Sequence, residues 1–310
     1  MRFAADYSGD PAWRRSPEQQ RRYEAMIDGA DILYGIPDVD PVALHRTVRA
    51  NPRLRWVQTM AAGGGGQVKA AGLDTIDLAR VAFTTSAGVH GTALAEFAVL
   101  GVLAGAKHLP RLNELQHDRV WADRWTMGQV AGSRVLVLGL GGIGAEVARL
   151  LSALGATVVG ASRTGTPVAG VAEVVRTDAL VTEAARADAI VTTLPGTAST
   201  EGLLGAELLA AVRPGTTVVN VGRGTVIDEA ALLAALDDRR IGFAALDVFA
   251  VEPLPQDSPL WRHPRVLVSP HTAALTDTEE RRIAELFADN ATRFLDGREL
   301  VNRVDTVEFY

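Results

Sequence analysis

Three side chains in the C-terminal half could do chemistry together: Arg223, Glu252 and His271. Each lies just past a short apolar run that reads as a strand. Arg223 follows Asn220-Val221-Gly222, Glu252 precedes Pro253 a few residues beyond Asp247, and His271 closes Ser269-Pro270-His271. Reduction of a carbonyl needs a proton at oxygen while hydride arrives at carbon, and a histidine such as His271 can give that proton. A free imidazole, with a pKa of about 6.5, is about one-quarter protonated at pH 7, and a carboxylate partner such as Glu252 favours the cation. The planar fork of Arg223 can hold a carboxylate or a polarised carbonyl oxygen. Taken singly, each has a plain reading: a solvated loop histidine, a surface arginine, a glutamate at a loop end. Their arrival at the ends of successive strands of one sheet makes them a candidate catalytic set.

The elements that must position them begin near residue 134. Apolar runs at 135–138, 157–161, 189–193, 217–221, 242–247 and 266–269 alternate with helical segments, which predicts six parallel strands covered on both faces. The first run leads into Gly139-Leu140-Gly141-Gly142-Ile143-Gly144 and a helix over 145–153. In that strand–turn–helix setting the first glycine makes the tight turn, the second admits a pyrophosphate to the backbone, and the third packs helix on strand. The phosphates are expected on the N–H groups that open the helix. Candidate cofactor-binding residues are therefore Gly139, Gly141, Gly142, Ile143 and Gly144, with Leu194, Pro195, Val221, Gly222, Asp247, His271 and Ala273 from the later strand ends. The second strand ends in Ser162-Arg163-Thr164, where an acidic residue would bind a ribose 2′-hydroxyl. Arg163 between two hydroxyls instead suits a 2′-phosphate; a charge-assisted bond of about 1.5–3 kcal/mol is worth about 10- to 150-fold in affinity. NADP(H) is expected in preference to NAD(H).

A sheet domain that begins in mid-chain leaves a block before it that needs another job. A length of 310 residues suggests two domains. The expected organisation is α/β in two domains. A doubly wound parallel Rossmann sheet (89–274) is inserted into a smaller flavodoxin-like α/β substrate domain (1–88 and 275–310), N-terminally shortened. The crossings fall near 88–91 and 273–276. In the first block, 31–36, 55–59 and 81–84 read as strands. Residues 90–106 read as a long buried helix on Leu94, Phe97, Ala98, Leu100 and Gly101, and the last helix, 276–296, is expected to return to the first block. The glycine run 63–66 is read as a loop whose backbone N–H groups at Ala62, Gly63 and Gly64 meet the substrate carboxylate; its plain reading is a turn. Ligands bind beyond the carboxyl ends of such strands, so the cleft between the domains is where the substrate is expected.

Composition narrows the function classes. With 47% hydrophobic and 22% charged residues the chain fits a soluble globular protein. A net charge of −6 offers no basic field for nucleic acid or an anionic membrane. The absence of cysteine removes disulfides, thiolate nucleophiles and cysteine metal sites, and no metal is expected. The start Met1-Arg2-Phe3-Ala4-Ala5-Asp6-Tyr7 lacks the apolar core of a signal peptide, and the greasiest stretch, 93–106, carries Glu96 and is too short to span a bilayer. A cytoplasmic location is expected.

On these motifs the chain resembles the D-isomer-specific 2-hydroxyacid dehydrogenase family over roughly residues 54–304. The matching pieces, in order, are residues 87–91 leading to Ala95-Glu96, the glycine turn 139–144, Thr193-Leu194-Pro195, residues 220–224 and residues 245–249, then Glu252-Pro253 and residues 269–273. By this resemblance Arg223 binds substrate, Glu252 orients and charges His271, His271 is the acid/base, and Asp247 contacts the nicotinamide carboxamide. The family is typically dimeric through the helix near 90–106 and the arm after it, so Trp121 or Trp125 would reach a neighbouring subunit. Three departures stand out. The first block lacks the first strand and helix usual in the family. Glycine replaces the acidic residue often found after the glycine loop at 63–66. The second sheet strand ends in Ser162-Arg163-Thr164 where NAD enzymes carry aspartate. The resulting expectation is NADPH-dependent reduction of a short 2-oxoacid, such as glyoxylate or hydroxypyruvate, by a homodimer. The alternatives are a formate- or phosphite-type dehydrogenase, disfavoured by Arg163, and a nucleotide-sensing corepressor-like protein. A methyltransferase reading leaves Arg223, Glu252 and His271 without roles.

Overall fold

The computed structural model describes residues 14–163 and 165–309. The described residues fall into two compact units, 14–89 with 277–309, and those within 90–276.

In the first unit, Ser16 and Gln19 form a capping box that opens α1 (Pro17–Asp28). Then follow β1 (Ile32–Tyr34), α2 (Pro41–Ala50), β2 (Trp56–Gln58), α3 (Gly65–Ala70), α4 (Thr75–Arg80) and β3 (Ala82–Thr84). Asp40 and Asp74 cap α2 and α4 by accepting backbone N–H groups of the first turn. The three strands pair in parallel in the order β1-β2-β3. Leu44, Val48, Leu54, Val57, Val68 and Phe83 are fully buried in this unit's core.

The second unit opens with α5 (Gly91–Ala106) and α6 (Leu109–Asp118), then β4 (Arg134–Leu138), α7 (Gly142–Ala153), β5 (Thr157–Ala161), β6 (Glu173–Val175), α8 (Leu180–Ala184), β7 (Ala189–Thr192), α9 (Ala206–Ala211), β8 (Thr216–Asn220), α10 (Glu229–Asp237), β9 (Ile241–Leu246) and β10 (Val266–Val268). All its strand pairs are parallel, in the order β10-β9-β8-β7-β4-β5-β6. The sheet has seven strands rather than six. β6 escapes a reading by periodicity because it is a three-residue edge strand with no buried residue. The chain winds outward from β4 in one direction and then the other, so the switch point lies between β4 and β7, where doubly wound sheets bind ligands. Leu136, Ile190, Val218 and Leu232 belong to one buried cluster, and Val137, Val147, Leu151 and Val219 to another.

On α5 the contact with the sheet is made by small residues. A Cβ on Gly101 would come 2.7 Å from Val219 and 2.9 Å from Ala245, and one on Gly105 would strike Thr217. The helix backbone thus lies directly on β8 and β9. Leu100, expected in the buried stripe, is instead 48% exposed. Gly101 and Gly105 form the face laid against the sheet, and Leu100 lies outside it.

After residue 276 the chain returns to the first unit as α11 (Glu279–Leu295). Phe287 stacks on the fully buried Trp56 at 4.9 Å, with Phe294 at 5.8 Å, and the Trp56 indole N–H donates to Thr84 Oγ1 at 2.9 Å. Truncating such a buried tryptophan to alanine costs about 3–5 kcal/mol, so this aromatic stack, together with the Val304 N–H donated to Phe83 O at 2.8 Å, holds the returning segment to the three-stranded sheet.

Candidate active site

The glycine turn follows β4 directly. Gly139 has φ +90°, a conformation L side chains rarely adopt, and its N–H donates to Ala161 O at 3.1 Å, joining the turn to β5. A Cβ on Gly144 would fall on the Gly139 carbonyl oxygen, so α7 can seat against the turn only with glycine there. Beside Gly141 and Gly142 a Cβ would meet nothing within 4 Å. The first turn of α7 therefore presents open backbone at a helix N-terminus, the arrangement that takes a phosphate. Ile143 lies in that same first turn. Thr193 Oγ1, bonded toward Leu138 O (3.2 Å) and Gly139 O (3.0 Å), ties the end of β7 to the turn. Gly222 packs so tightly that a Cβ would come 2.8 Å from Leu194 N. Leu194, Pro195, Val221 and Gly222 thus form one continuous edge with the glycine turn. Ser162 and Arg163 close β5, the Ser162 N–H donating to Val175 O at 3.1 Å; Thr164 lies outside the described residues.

Asp247, 1% exposed, directly follows β9. Its Oδ1 accepts from Ser269 Oγ and from the N–H groups of Thr272 (2.9 Å) and Ala273 (3.0 Å). Its Oδ2 is buried without a hydrogen-bond partner. Buried polar atoms in folded proteins are nearly always paired, so this oxygen marks a place for a donor from outside. The amide N–H of a nicotinamide is of that kind. With the open backbone at Gly141 and Gly142, these residues fit a nicotinamide dinucleotide.

His271 and Glu252 are in contact: His271 Nδ1 lies 2.7 Å from Glu252 Oε2. The other carboxylate oxygen, Oε1, accepts the Phe249 N–H at 2.9 Å, which fixes the plane of the carboxylate toward the ring. His271 itself has φ +53°, an unusual conformation for a non-glycine residue and one that recurs at functional sites. Arg223 is exposed and starts the turn after β8, with its Nη1 donating to Gly222 O at 2.7 Å. Asn220, fully buried, accepts the Gly222 N–H (3.0 Å) and donates to Arg223 O (3.0 Å), which locks that turn. A cavity of about 460 Å³ lined by Phe249, Glu252, Pro253, Leu254, Trp261, Pro270 and His271 adjoins the pair.

The sequence-predicted residues of the second unit thus come together at the carboxyl edge of one sheet. Ala62, Gly63 and Gly64 belong to the first unit, and there the expected glycine loop is corrected. Gly65 already opens α3, and the N–H groups of Gly64 and Gly66 turn inward to Ala61 O (3.2 Å) and Gly63 O (3.1 Å). A Cβ on Gly64 would strike the side chain of Thr59. Close packing of this helix start on Thr59, rather than an open row of N–H groups, explains glycine at 64. Sequence reasoning missed Asn220 as a clamp, although it lies in the strand-end motif. It also missed Glu229, which accepts the Ala250 N–H at 2.8 Å and has no signal beyond its place in the first turn of α10.

A family model described as "D-isomer specific 2-hydroxyacid dehydrogenase, NAD binding domain" matches residues 99–273. The glyoxylate/hydroxypyruvate reductase A of Salmonella dublin is 33% identical over 84% of this chain and 83% of its own length. The chain belongs to the D-isomer specific 2-hydroxyacid dehydrogenase family. It is an NAD(P)-dependent oxidoreductase with that family's two-domain α/β fold. Among solved structures, a family member from Xanthobacter autotrophicus Py2 in complex with NADPH and MES is 34% identical, with a TM-score of 0.78 over 98% of this chain and 89% of its own. An NADPH-dependent glyoxylate/hydroxypyruvate reductase from Sinorhizobium meliloti, in complex with NADP and sulfate, is 27% identical, with a TM-score of 0.79 over 99% and 95%.

Proposed function

We propose that this dehydrogenase reduces a small 2-oxoacid, glyoxylate or hydroxypyruvate being the first candidates, to the D-2-hydroxyacid with NADPH. The observation that carries the reading is the His271–Glu252 pair at 2.7 Å on the sheet edge that also holds the glycine turn and the unpartnered Asp247 Oδ2. Bound at that edge, the reduced nicotinamide supplies hydride. His271 gives its Nε2 proton to the carbonyl oxygen as that oxygen gains charge, and Glu252 holds Nδ1–H and stabilises the cationic ring before transfer. Arg223 exchanges its bond to Gly222 O for the substrate carboxylate, which its fork can grip through two N–H groups. Within the first unit, Ala62 and Gly63 are assigned to substrate binding; Gly64, whose N–H is already bonded to Ala61 O, is assigned to packing.

Gly139, Gly141, Gly142, Ile143 and Gly144 take the pyrophosphate, and Asp247 takes the carboxamide. Ser162 and Arg163 take the 2′-phosphate. The NADPH and NADP named with the Xanthobacter and Sinorhizobium proteins support that preference. A homodimer in the cytoplasm completes the reading. The dimer is supported by α6, none of whose residues is buried, and by the fully exposed Trp121 on the segment after it. Residues 1–89 with 277–310 are assigned to substrate binding, residues 90–276 to the cofactor.

The test is NADPH oxidation against a panel of 2-oxoacids that includes glyoxylate, hydroxypyruvate and a bulky phenyl analogue. Turnover of at least one short 2-oxoacid, lost in His271→Ala with NADPH binding retained, is expected. Unchanged kcat in that variant removes the proton-donor assignment.

A further inference from the structure

The Phe249–Ala250 peptide is where three parts of the site meet. Its carbonyl lies against Gly224, the residue after Arg223, so closely that a Cβ on Gly224 would overlap the Phe249 carbonyl carbon. One residue back, the Phe249 N–H is the donor that aligns Glu252 Oε1. The peptide's own N–H, on Ala250, donates to Glu229 Oε1 at 2.8 Å, across 21 residues of chain. Glu229 is the first residue of α10, whose N-cap, Asp228, accepts the N–H groups of Ala230 and Ala231. The helix start that carries Glu229 is thus fixed independently, and Glu229 reaches from it to the loop behind the catalytic carboxylate.

From this geometry we infer that Glu229 is a positioning residue. It holds the Phe249–Glu252 turn in the one orientation that directs Glu252 Oε2 at His271 Nδ1, and so couples the Arg223 turn to the histidine. It touches no reacting atom, and it acts through Glu252. The bond it accepts is charge-assisted and fixes the peptide that follows Phe249, whose own N–H holds the Glu252 carboxylate of the pair. The inference rests on the assignment of His271 and Glu252 made above.

The experiment compares kcat/KM for 2-oxoacid reduction across pH 5.5–9.5 in the wild-type protein, Glu229→Ala, Glu229→Gln and Glu252→Gln, with the Kd for NADPH measured alongside. Glu229→Ala is expected to lower kcat/KM near neutral pH by roughly 5- to 20-fold, less than the full worth of a charge-assisted bond (about 10- to 150-fold) because Glu229 acts only through Glu252. Its alkaline fall in activity should move to lower pH, in the same direction as for Glu252→Gln and by a smaller amount, with the NADPH Kd unchanged. Glu229→Gln keeps an oxygen able to accept from Ala250 and should recover most of both effects. A merely structural role lowers activity without moving the pH profile. A Glu229→Ala profile that superimposes on the wild type, while that of Glu252→Gln shifts, overturns this inference and leaves the pair standing. If Glu252→Gln also superimposes, the assignment of the pair itself fails.

Discussion

Gly144→Ala separates the two jobs of the glycine turn. The added methyl would sit 2.9 Å from the Gly139 carbonyl carbon and closer still to its oxygen, against an ordinary contact of about 3.5–4.0 Å. Both partners are backbone, so no side chain can swing away. Gly139 is held by its bond to Ala161 O, and α7 is held by the fully buried Val147, Ala148 and Leu151. Overpacking against a well-packed neighbour costs typically about 1–3 kcal/mol, and the rigid surroundings put this case at about 2–3. In a unit of this size 1 kcal/mol lowers Tm by about 2–4 °C, so Gly144→Ala should unfold about 4–12 °C below the wild type in a thermal scan without cofactor. Gly141→Ala is the control. Its methyl meets nothing within 4 Å, and Gly141, at φ −71°, has a backbone that alanine can adopt. Its Tm should hold or rise slightly, because alanine narrows the unfolded ensemble. Its affinity for NADPH should fall about 10-fold or more, since the methyl occupies the space where the pyrophosphate approaches. A Tm for Gly144→Ala within about 1 °C of wild type, or a Gly141→Ala variant that binds NADPH normally, would refute this division of labour.

Two further outcomes follow from the same geometry. Arg163→Ala should raise KM for NADPH by about 10- to 150-fold and leave that for NADH within about threefold; equal effects on the two cofactors would sink the 2′-phosphate assignment. His263 sits with its ring mostly buried between Asp237 and the Arg265 N–H, and burial, then the Arg265 charge, hold its pKa below the usual histidine value. Because the neutral ring is the form favoured in the folded protein, the unfolded chain takes up the proton first as pH falls, and stability is lost below about pH 6.5. The drop in Tm between pH 7.5 and 5.5 should be smaller in His263→Asn than in the wild type. Equal drops would show that this ring does not report on acid stability.

How much of this was legible in the sequence depends on the range of the forces involved. The strand–turn–helix at 135–153 was readable because each of its steps is local: an apolar run, a glycine at positive φ, a helix start. The strand ends carrying Arg223, Asp247, Glu252 and His271 followed from parallel alternation, since every strand of such a sheet ends at the same edge. Readings that depended on packing between distant elements fared worse. Leu100 kept helical spacing yet points outward because Gly101 and Gly105 bring α5 onto the sheet. The 63–66 run gave no sign that Thr59 would fill the space beside Gly64, nor that its N–H groups would turn inward. β6 is three residues long, lies at an edge and only half-buries Val174 and Val175, which is too short and too weak a pattern to read as a strand. Glu229 was invisible because its bond to Ala250 spans 21 residues and uses a side chain common in any first helical turn.

The most direct test of the account follows the hydride. Hydroxypyruvate is reduced with NADPH carrying deuterium at the transferable position of the nicotinamide ring, and the product is examined by NMR and chiral chromatography. The wild-type protein should give D-glycerate with one deuterium at C2, and His271→Ala almost none. Unlabelled glycerate, the L-isomer, or an undiminished yield from His271→Ala would contradict the account.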